Sequence, residues 1–172
     1  VGADGNVYVF NQTFADATSS QSHLLVFSPE GALVNTMDVE GITAWPYLAA
    51  GGDGSLYLFD MNGNLTVLDA SGNTVENTFS AEEAGAGVQT FGVDSSGGYW
   101  IGTADGTVYH LDASGAVLGQ FGEAAPDNAQ VAQFQPGQFY APRDIVQLSD
   151  GDVVVLDSNG GYVQLIRFGM EE

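Results

Sequence analysis

Residues 53–79, "DGSLYLFDMNGNLTVLDASGNTVENTF", and residues 96–121, "SGGYWIGTADGTVYHLDASGAVLGQF", are two copies of one sequence unit. From Gly54 and Gly97 through the shared "LDASG", the two copies keep a constant offset of 43 residues without a gap. Self-similarity at a fixed spacing is typical of repeat architectures. The fold of the chain is therefore inferred from the structure expected for one repeat unit.

Two further copies flank this pair. Residues 4–37 form an earlier copy with about eight extra residues in its middle turn, and residues 150–168 form a later one. Each unit occupies about 40 to 55 residues, which is the period of blade-like repeats. The units start at equivalent glycines, which are Gly5, Gly54, Gly97 and Gly151.

Each unit is predicted to be a small antiparallel sheet, because short apolar runs alternate with Asn-Gly and Asp-Gly turns. A helical array is excluded by the scarcity of a 3.6-residue apolar pattern, and only "SAEEAGAG" (80–87) has weak helical character. Four short strands per unit predict an all-β fold, a β-propeller or partial propeller of about four blade units, each a four-stranded antiparallel sheet. Within a single propeller region, 1–172, the blade units are 1–47, 48–90, 91–141 and 142–172, with the first and last incomplete.

Length and composition narrow the function classes. A chain of 172 residues fits one domain that can bury a sizeable core. The absence of cysteine excludes thiolate catalysis, cysteine zinc sites and disulfides. No apolar run approaches the roughly 18 to 20 residues that span a bilayer, so membrane insertion is not expected.

The charge balance is unusual, with 22 Asp and Glu against two basic residues, Arg143 and Arg167, and a formal net charge of -20. Such a surface repels phosphate backbones and anionic lipid, so nucleic acid is not expected as a partner. Three explanations stay open: adaptation to high salt, cation binding, or an acidic surface that meets a basic or calcium-bridged partner. We expect an extracellular or cell-surface location, or a high-salt environment.

The last unit carries a more specific pattern. Residues 135–168 contain "GQFYAP", a strand that ends before Asp-Gly, then "VLDSN" and "VQLIRF". This order resembles the NHL-repeat family of β-propellers, most strongly over 119–168, and the middle units also resemble quinoprotein-like blades. NHL blades commonly place a basic residue after the Asn, where this chain has Gly160, Gly161 and Tyr162. The RNA binding of basic family members is therefore not implied.

The resemblance also implies a ring of about six blades, whereas four units are counted. An open ring exposes the faces and strand edges of its terminal blades. Three resolutions stay open: the chain is a segment of a longer polypeptide, it closes with other copies of itself, or it closes alone as a tight four-bladed ring.

Aromatic residues suggest a binding surface. Trp45 in "TAWPYLAA" and Tyr140 in "GQFYAPRD" lie in connections between blades, on the face where propellers usually bind ligands. Tyr47, two residues after Trp45, is included as a further candidate for ligand or partner binding. Arg143 accompanies Tyr140, and an arginine in so acidic a chain is a candidate site for a carboxylate. Packing, or an ion pair with a neighbour such as Asp144, is the competing interpretation.

Asp94 and Asp144 are the candidate metal ligands, because both lie near the ends of predicted inner strands. Propellers that resemble gluconolactonases hold a catalytic divalent metal with carboxylates in the central channel. No other cofactor is expected, although calcium is possible, since it prefers such oxygen ligands. The "D-x-N-G" stretches at 60–63 and 157–160 are interpreted as hairpin turns, and His23 and His110 as ordinary sheet residues.

Without a nucleophile motif or a phosphate-binding loop, the sequence favours a non-enzymatic binding or assembly scaffold. Its partners would be another protein or copies of itself. The alternative is a divalent-metal-dependent, lactonase-like or lyase-like enzyme that uses the channel carboxylates.

Overall fold

The structure, a computed structural model, describes residues 1–14, 20–39, 42, 46–60, 63–80, 87–126, 135–157 and 161–167, with the side chains of 76–80 excepted. All regular structure in these residues is β, which confirms the predicted fold class. The predicted weak helical segment at 80–87 lies largely outside them. In the part of the chain that is described, no helix is long and apolar enough to cross a membrane.

The first and second sheets belong to one compact unit, which ends at Thr78. The first sheet has the strand order β1-β2-β3, and the second has the order β4-β5-β6-β7. Their strands are β1 (Val7–Phe14), β2 (Ser20–Phe27), β3 (Leu33–Val39), β4 (Tyr47–Ala50), β5 (Leu56–Phe59), β6 (Asn64–Leu68) and β7 (Thr74–Ser80).

The third and last sheets belong to the other compact unit. Their strand orders are β11-β10-β9-β8 and β14-β15-β16. Two short strands in the segment between these sheets, β12 and β13, pair with each other in parallel. The strands are β8 (Val88–Val93), β9 (Tyr99–Thr103), β10 (Val108–Leu111), β11 (Val117–Phe121), β12 (Glu123–Ala124), β13 (Gln138–Phe139), β14 (Pro142–Gln147), β15 (Val153–Asp157) and β16 (Tyr162–Ile166).

The number of strands in each sheet corresponds to the repeat units of the sequence. Among the described strands, the two middle sheets have four and the two terminal sheets have three. The extra residues of the first unit lengthen its β1–β2 hairpin, which pairs from Val7 with Phe27 to Phe14 with Ser20. The four starting glycines all have positive φ, between 80° and 91°, as their tight turns require.

Sheet packing creates the cores. In the first compact unit, Leu24 and Val26 of β2 pack against Leu56 and Leu58 of β5. In the second compact unit, Trp100 and Val108 of the third sheet pack against Ile145, Val153 and Val155 of the last sheet. Since side chains alternate between the two faces of a strand, the core of each compact unit forms from one face of each of its two sheets.

The inner strands β8 and β14 come unusually close. A Cβ at Gly92 would lie 2.7 Å from the carbonyl oxygen of Ile145, so this position has no room for a side chain. Further along, the Ser95 N–H donates to Gln147 Oε1 at 2.8 Å. The two strands therefore run side by side in the same direction, and glycine permits the contact.

Candidate functional site

The last sheet has one buried face and one exposed face. Ile145, Val153 and Val155 are buried, and the alternate residues on the other side reach solvent. Val163 is 65% exposed and Leu165 is 47% exposed. We call this side the C-terminal face, and it comprises Val146, Val154, Leu156, Val163 and Leu165.

Among the described residues of β14, β15 and β16, charged groups lie at the two ends of the C-terminal face. Asp144 pairs across the strands with Leu156 at one end. At the other end the Arg167 Nε donates to Asp152 Oδ2 at 3.1 Å. The centre of the face is thus aliphatic, in a chain that carries 22 acidic residues.

The first sheet also exposes an apolar face, on the side opposite its core. Val7 and Val9 are 39% and 41% exposed, and their strand partners Phe27 and Leu25 are half-buried. We call this side the N-terminal face, and it comprises Val7, Val9, Leu25, Phe27 and Leu33. Both terminal sheets therefore present an apolar face.

A polar cluster lies inside the third sheet, centred on Asp94. The side chain of Asp94 is 3% exposed, and its Oδ1 accepts the N–H groups of Ser96 and Gly98, both at 2.7 Å. Its Oδ2 lies 2.7 Å from His110 Nε2. A Cβ at Gly98 would lie 2.8 Å from that oxygen, so glycine is needed beside the carboxylate.

Trp100 completes this cluster. Its ring stacks on His110 with centroids 3.9 Å apart and planes at 6°. Burial raises the pKa of Asp94, but hydrogen bonds from His110, Ser96 and Gly98 outweigh it, so the pKa lies below its ordinary value. The arrangement keeps Asp94 ionised and fixes the His110 ring against Trp100.

Sequence reasoning missed the Asp94–His110 contact. His110 is predicted to be an ordinary sheet residue, and it lies on β10, opposite the buried Trp100 of β9. The two partners are 16 residues apart, on a turn and on β10, and only the pairing of His110 with Trp100 across β9 and β10 brings them together. The sequence signal that could have indicated the contact is His110 itself, because the aligned position in the preceding repeat unit is Val67.

The two candidate metal ligands, Asp94 and Asp144, have different hydrogen-bond partners. Asp94 turns back into its own sheet toward His110, and Asp144 Oδ1 accepts the N–H of Ile145 at 2.9 Å. Among the described residues, no three His, Asp or Glu side chains are grouped so that they could hold a metal ion.

The carboxylates of the two "D-x-N-G" stretches accept hydrogen bonds from N–H groups of the protein itself. Asp60 is buried and accepts the backbone and side-chain N–H groups of Asn64, both at 2.9 Å. Asp157 is also buried, and it accepts the N–H groups of Tyr140 and Ala141. Asp157 therefore anchors the connection that leads into the last sheet.

The predicted aromatic and arginine residues are dispersed. Tyr140 is 42% exposed in the connection before β14, and Arg143 is exposed at the irregular pairing near the start of that strand. Tyr47 is half-buried at the start of β4, in the other compact unit. Trp45 lies outside the described residues.

A polar cleft of about 440 Å³ lies at one end of the first sheet, where His23 Nδ1 is 2.8 Å from Asp38 Oδ1. The Gln12 amide donates to the hydroxyls of Ser20 and Ser22 beside it. In the cleft lining, His23 thus pairs with Asp38, and both serines accept from Gln12, which lies outside the lining. The cleft does not include any residue predicted to bind a ligand.

No family model and no curated protein matches the chain. Its structure is similar to the WD40 β-propeller domain of Doa1, with a TM-score of 0.55 and 14% identity over 94% of this chain and 51% of that one. A protein of unknown function from Bacteroides thetaiotaomicron VPI-5482 matches with a TM-score of 0.63 and 13% identity, over 94% and 44% of the two chains. The computationally designed protein Ika4 matches with a TM-score of 0.51 and 15% identity, over 94% and 92%.

These likenesses show the fold alone, since all the identities are low. The chain has the fold of a β-propeller, as the repeats predicted. It spans about half the length of the Doa1 domain and of the Bacteroides protein.

Proposed function

We propose that this chain is a non-enzymatic scaffold that binds a protein partner or further copies of itself through its terminal sheets. The observation that carries the proposal is the exposed C-terminal face, whose centre has no charged side chain. Depletion of charge at the centre of a patch, with polar groups around it, is typical of protein interfaces.

The face can supply only a moderate free energy of binding. Full burial of a Val or Leu side chain is worth about 1.5–3 kcal/mol, so covering five half-exposed side chains provides about 4–7 kcal/mol. Association itself costs about 4–15 kcal/mol. A contact through this face alone is therefore weak and reversible.

The acidic composition adds a dependence on salt. Two copies that each carry a formal charge of -20 repel one another, and salt screens that repulsion. Association is thus favoured in a saline extracellular or high-salt setting. The likeness of residues 135–168 to NHL repeats belongs to this proposal, with the buried Asp157 of "VLDSN" acting as the anchor of the last blade.

The metal-dependent enzyme remains the alternative. It requires carboxylates that converge in the channel, as predicted for Asp94 and Asp144. Calcium binding separates the two functions.

The scaffold is tested by the mass of the protein in solution, measured by light scattering at low and high salt. We expect a mass above one chain of 17.9 kDa, with a greater associated fraction at high salt. The double variant Val163→Glu/Leu165→Glu should return the mass to one chain. Leu118→Glu is the control, because Leu118 is 61% exposed on β11 and outside the C-terminal face. A mass of one chain at all concentrations and salts would refute self-association.

A further inference from the structure

We infer that the outer edge of β11 binds an extended basic peptide, which adds to the third sheet as a further strand. This surface is separate from the one proposed above for the scaffold, because β11 belongs to the third sheet and the C-terminal face to the last. The strand order, the backbone of β11 and the charges at its two ends lead to this partner.

The strand β11 is the outermost strand of its sheet. The order β11-β10-β9-β8 places it at the edge, and among the described strands only β10 pairs with it. Residues 117–120 of β11 are all exposed. Alternate N–H and C=O groups of an edge strand point away from the sheet, where another chain can pair with them. The outer side of β11 is thus a template for an added strand.

The edge strand of the first sheet, β3, shows how such an edge is closed. The Thr36 N–H of β3 donates to the side-chain Oδ1 of its neighbour Asn35 at 2.9 Å. A side chain that bonds to nearby backbone in this way competes with the pairing of strands. A strand added beside β3 could use this N–H only by displacing the Asn35 amide.

In β11 a glycine stands at the position of Asn35. The pairing of each edge strand skips one residue, Val34 in β3 and Leu118 in β11, so Gly119 is equivalent to Asn35. A Cβ at Gly119 would have none of the described residues within 4 Å apart from its chain neighbours. Gly119 therefore has no side chain to cap the N–H of Gln120, and the space beside this N–H admits another chain.

The charges select a basic partner. Residues 88–121, which span the third sheet, include no Lys or Arg, and residues 113–122 carry no charge at all. Asp112 precedes this uncharged stretch and Glu123 follows it. Opposite charges on paired strands are stabilising and like charges are destabilising. A second copy of β11 would bring acidic residues together at both ends, whereas a peptide with a basic residue at each end complements them.

The length of β11 sets the length of the peptide. The strand has five residues, or about 17 Å at about 3.4 Å per residue. Five uncharged residues between two lysines match this length and bring each lysine to an acidic end. Backbone hydrogen bonds provide the affinity of such an added strand. Salt screens the charges at the surface, so the contact should weaken as salt is added.

The peptide acetyl-Lys-Val-Thr-Val-Thr-Val-Lys-amide tests the inference by titration calorimetry. We expect it to bind one site per chain at low salt and to bind less tightly at high salt, whereas salt favours the proposed self-association. The same peptide, methylated on its five middle backbone nitrogens, keeps its charges and side chains but cannot donate hydrogen bonds from them. It should not bind. Both peptides are titrated into the unmodified protein, so this comparison needs no variant.

The variant Gly119→Asn tests the position directly, because it supplies the amide that β3 has. Capping one N–H should weaken peptide binding about fivefold, the usual effect of one hydrogen bond. Gly52→Asn is the matched control, since Gly52 is also exposed, has open space around its Cβ and belongs to the other compact unit. It should leave the affinity unchanged.

Three results would overturn the inference. They are no binding of the unmethylated peptide at low salt, equal binding of the methylated one, or equal affinities of Gly119→Asn and Gly52→Asn. A fourth result would assign the edge to a second copy instead: a mass in solution above one chain that Gly119→Asn lowers. The scaffold function is measured by mass without any peptide, so the loss of peptide binding leaves it standing.

Discussion

Replacing Asp94 by alanine should destabilise the protein more than any comparable change of a turn aspartate. The carboxylate is almost fully buried and receives N–H groups from Ser96 and Gly98 together with the ring of His110. Asp94→Ala leaves those donors without an acceptor and removes the charge that faces the imidazole. Each buried donor left without an acceptor costs about 1–3 kcal/mol, so the loss of the shared carboxylate should cost about 3–5 kcal/mol in total.

That magnitude corresponds to a fall in Tm of about 10 °C for a chain of this size. Asp94→Asn should cost less, because its Oδ1 can still accept the N–H groups of Ser96 and Gly98. Near-ultraviolet circular dichroism should also change, since His110 stacks on Trp100 only while Asp94 holds the imidazole.

Asp112→Ala is the matched control. Asp112 accepts the N–H groups of Ser114 and Ala116 in the same kind of turn, but at the surface and without a histidine. Its loss should therefore lower the Tm only slightly. Thermal unfolding of the three variants beside the unmodified protein measures the difference. Equal shifts for Asp94→Ala and Asp112→Ala would refute the reasoning, because the buried contact with His110 would then contribute nothing.

Three other predictions follow from the packing and the charges. Gly92→Ala should lower the free energy of unfolding by about 1–3 kcal/mol, because its Cβ would press on the Ile145 carbonyl, whereas Gly119→Ala has open space and should be nearly neutral in urea unfolding. NaCl and CaCl2 at equal ionic strength should raise the Tm equally, by screening; a calcium-specific rise that Asp94→Asn or Asp144→Asn abolishes would contradict this and favour the metal-dependent enzyme. Because the pKa of Asp94 is lowered in the folded protein, its ionised form contributes stability above about pH 3.8, and this contribution is lost as the pH falls further. The unfolding free energies of the unmodified protein and of Asp94→Asn should therefore converge in acid. A difference that stays constant with pH would contradict the lowered pKa.

The sheets could be predicted from the repeats because turns and short strands depend on residues that are close together in the sequence. Glycines at equivalent positions supply positive φ angles for the turns, and short apolar runs between those turns form the strands. The parallel β12–β13 pair was not predicted, since two-residue strands have no periodicity to detect.

The candidate site was less predictable, because it depends on register and on contacts between sheets. The need for glycine at position 92 arises from the approach of β14, some 50 residues later in the chain. The contact between His110 and Asp94 depends on which residues face one another across β9 and β10. Neither can be inferred from composition, and the exposed C-terminal face needed side-chain burial to define it.

The order of strand pairing has a consequence for synthesis. Within each described sheet, every strand pairs with the one just before or after it along the chain. Each sheet can therefore fold soon after it leaves the ribosome, since local pairings form quickly. In each compact unit the earlier sheet would then keep its apolar face exposed until the later sheet is synthesised, which takes some seconds at about 5–20 residues per second. The apolar side chains of that face are thus open to a chaperone during this interval.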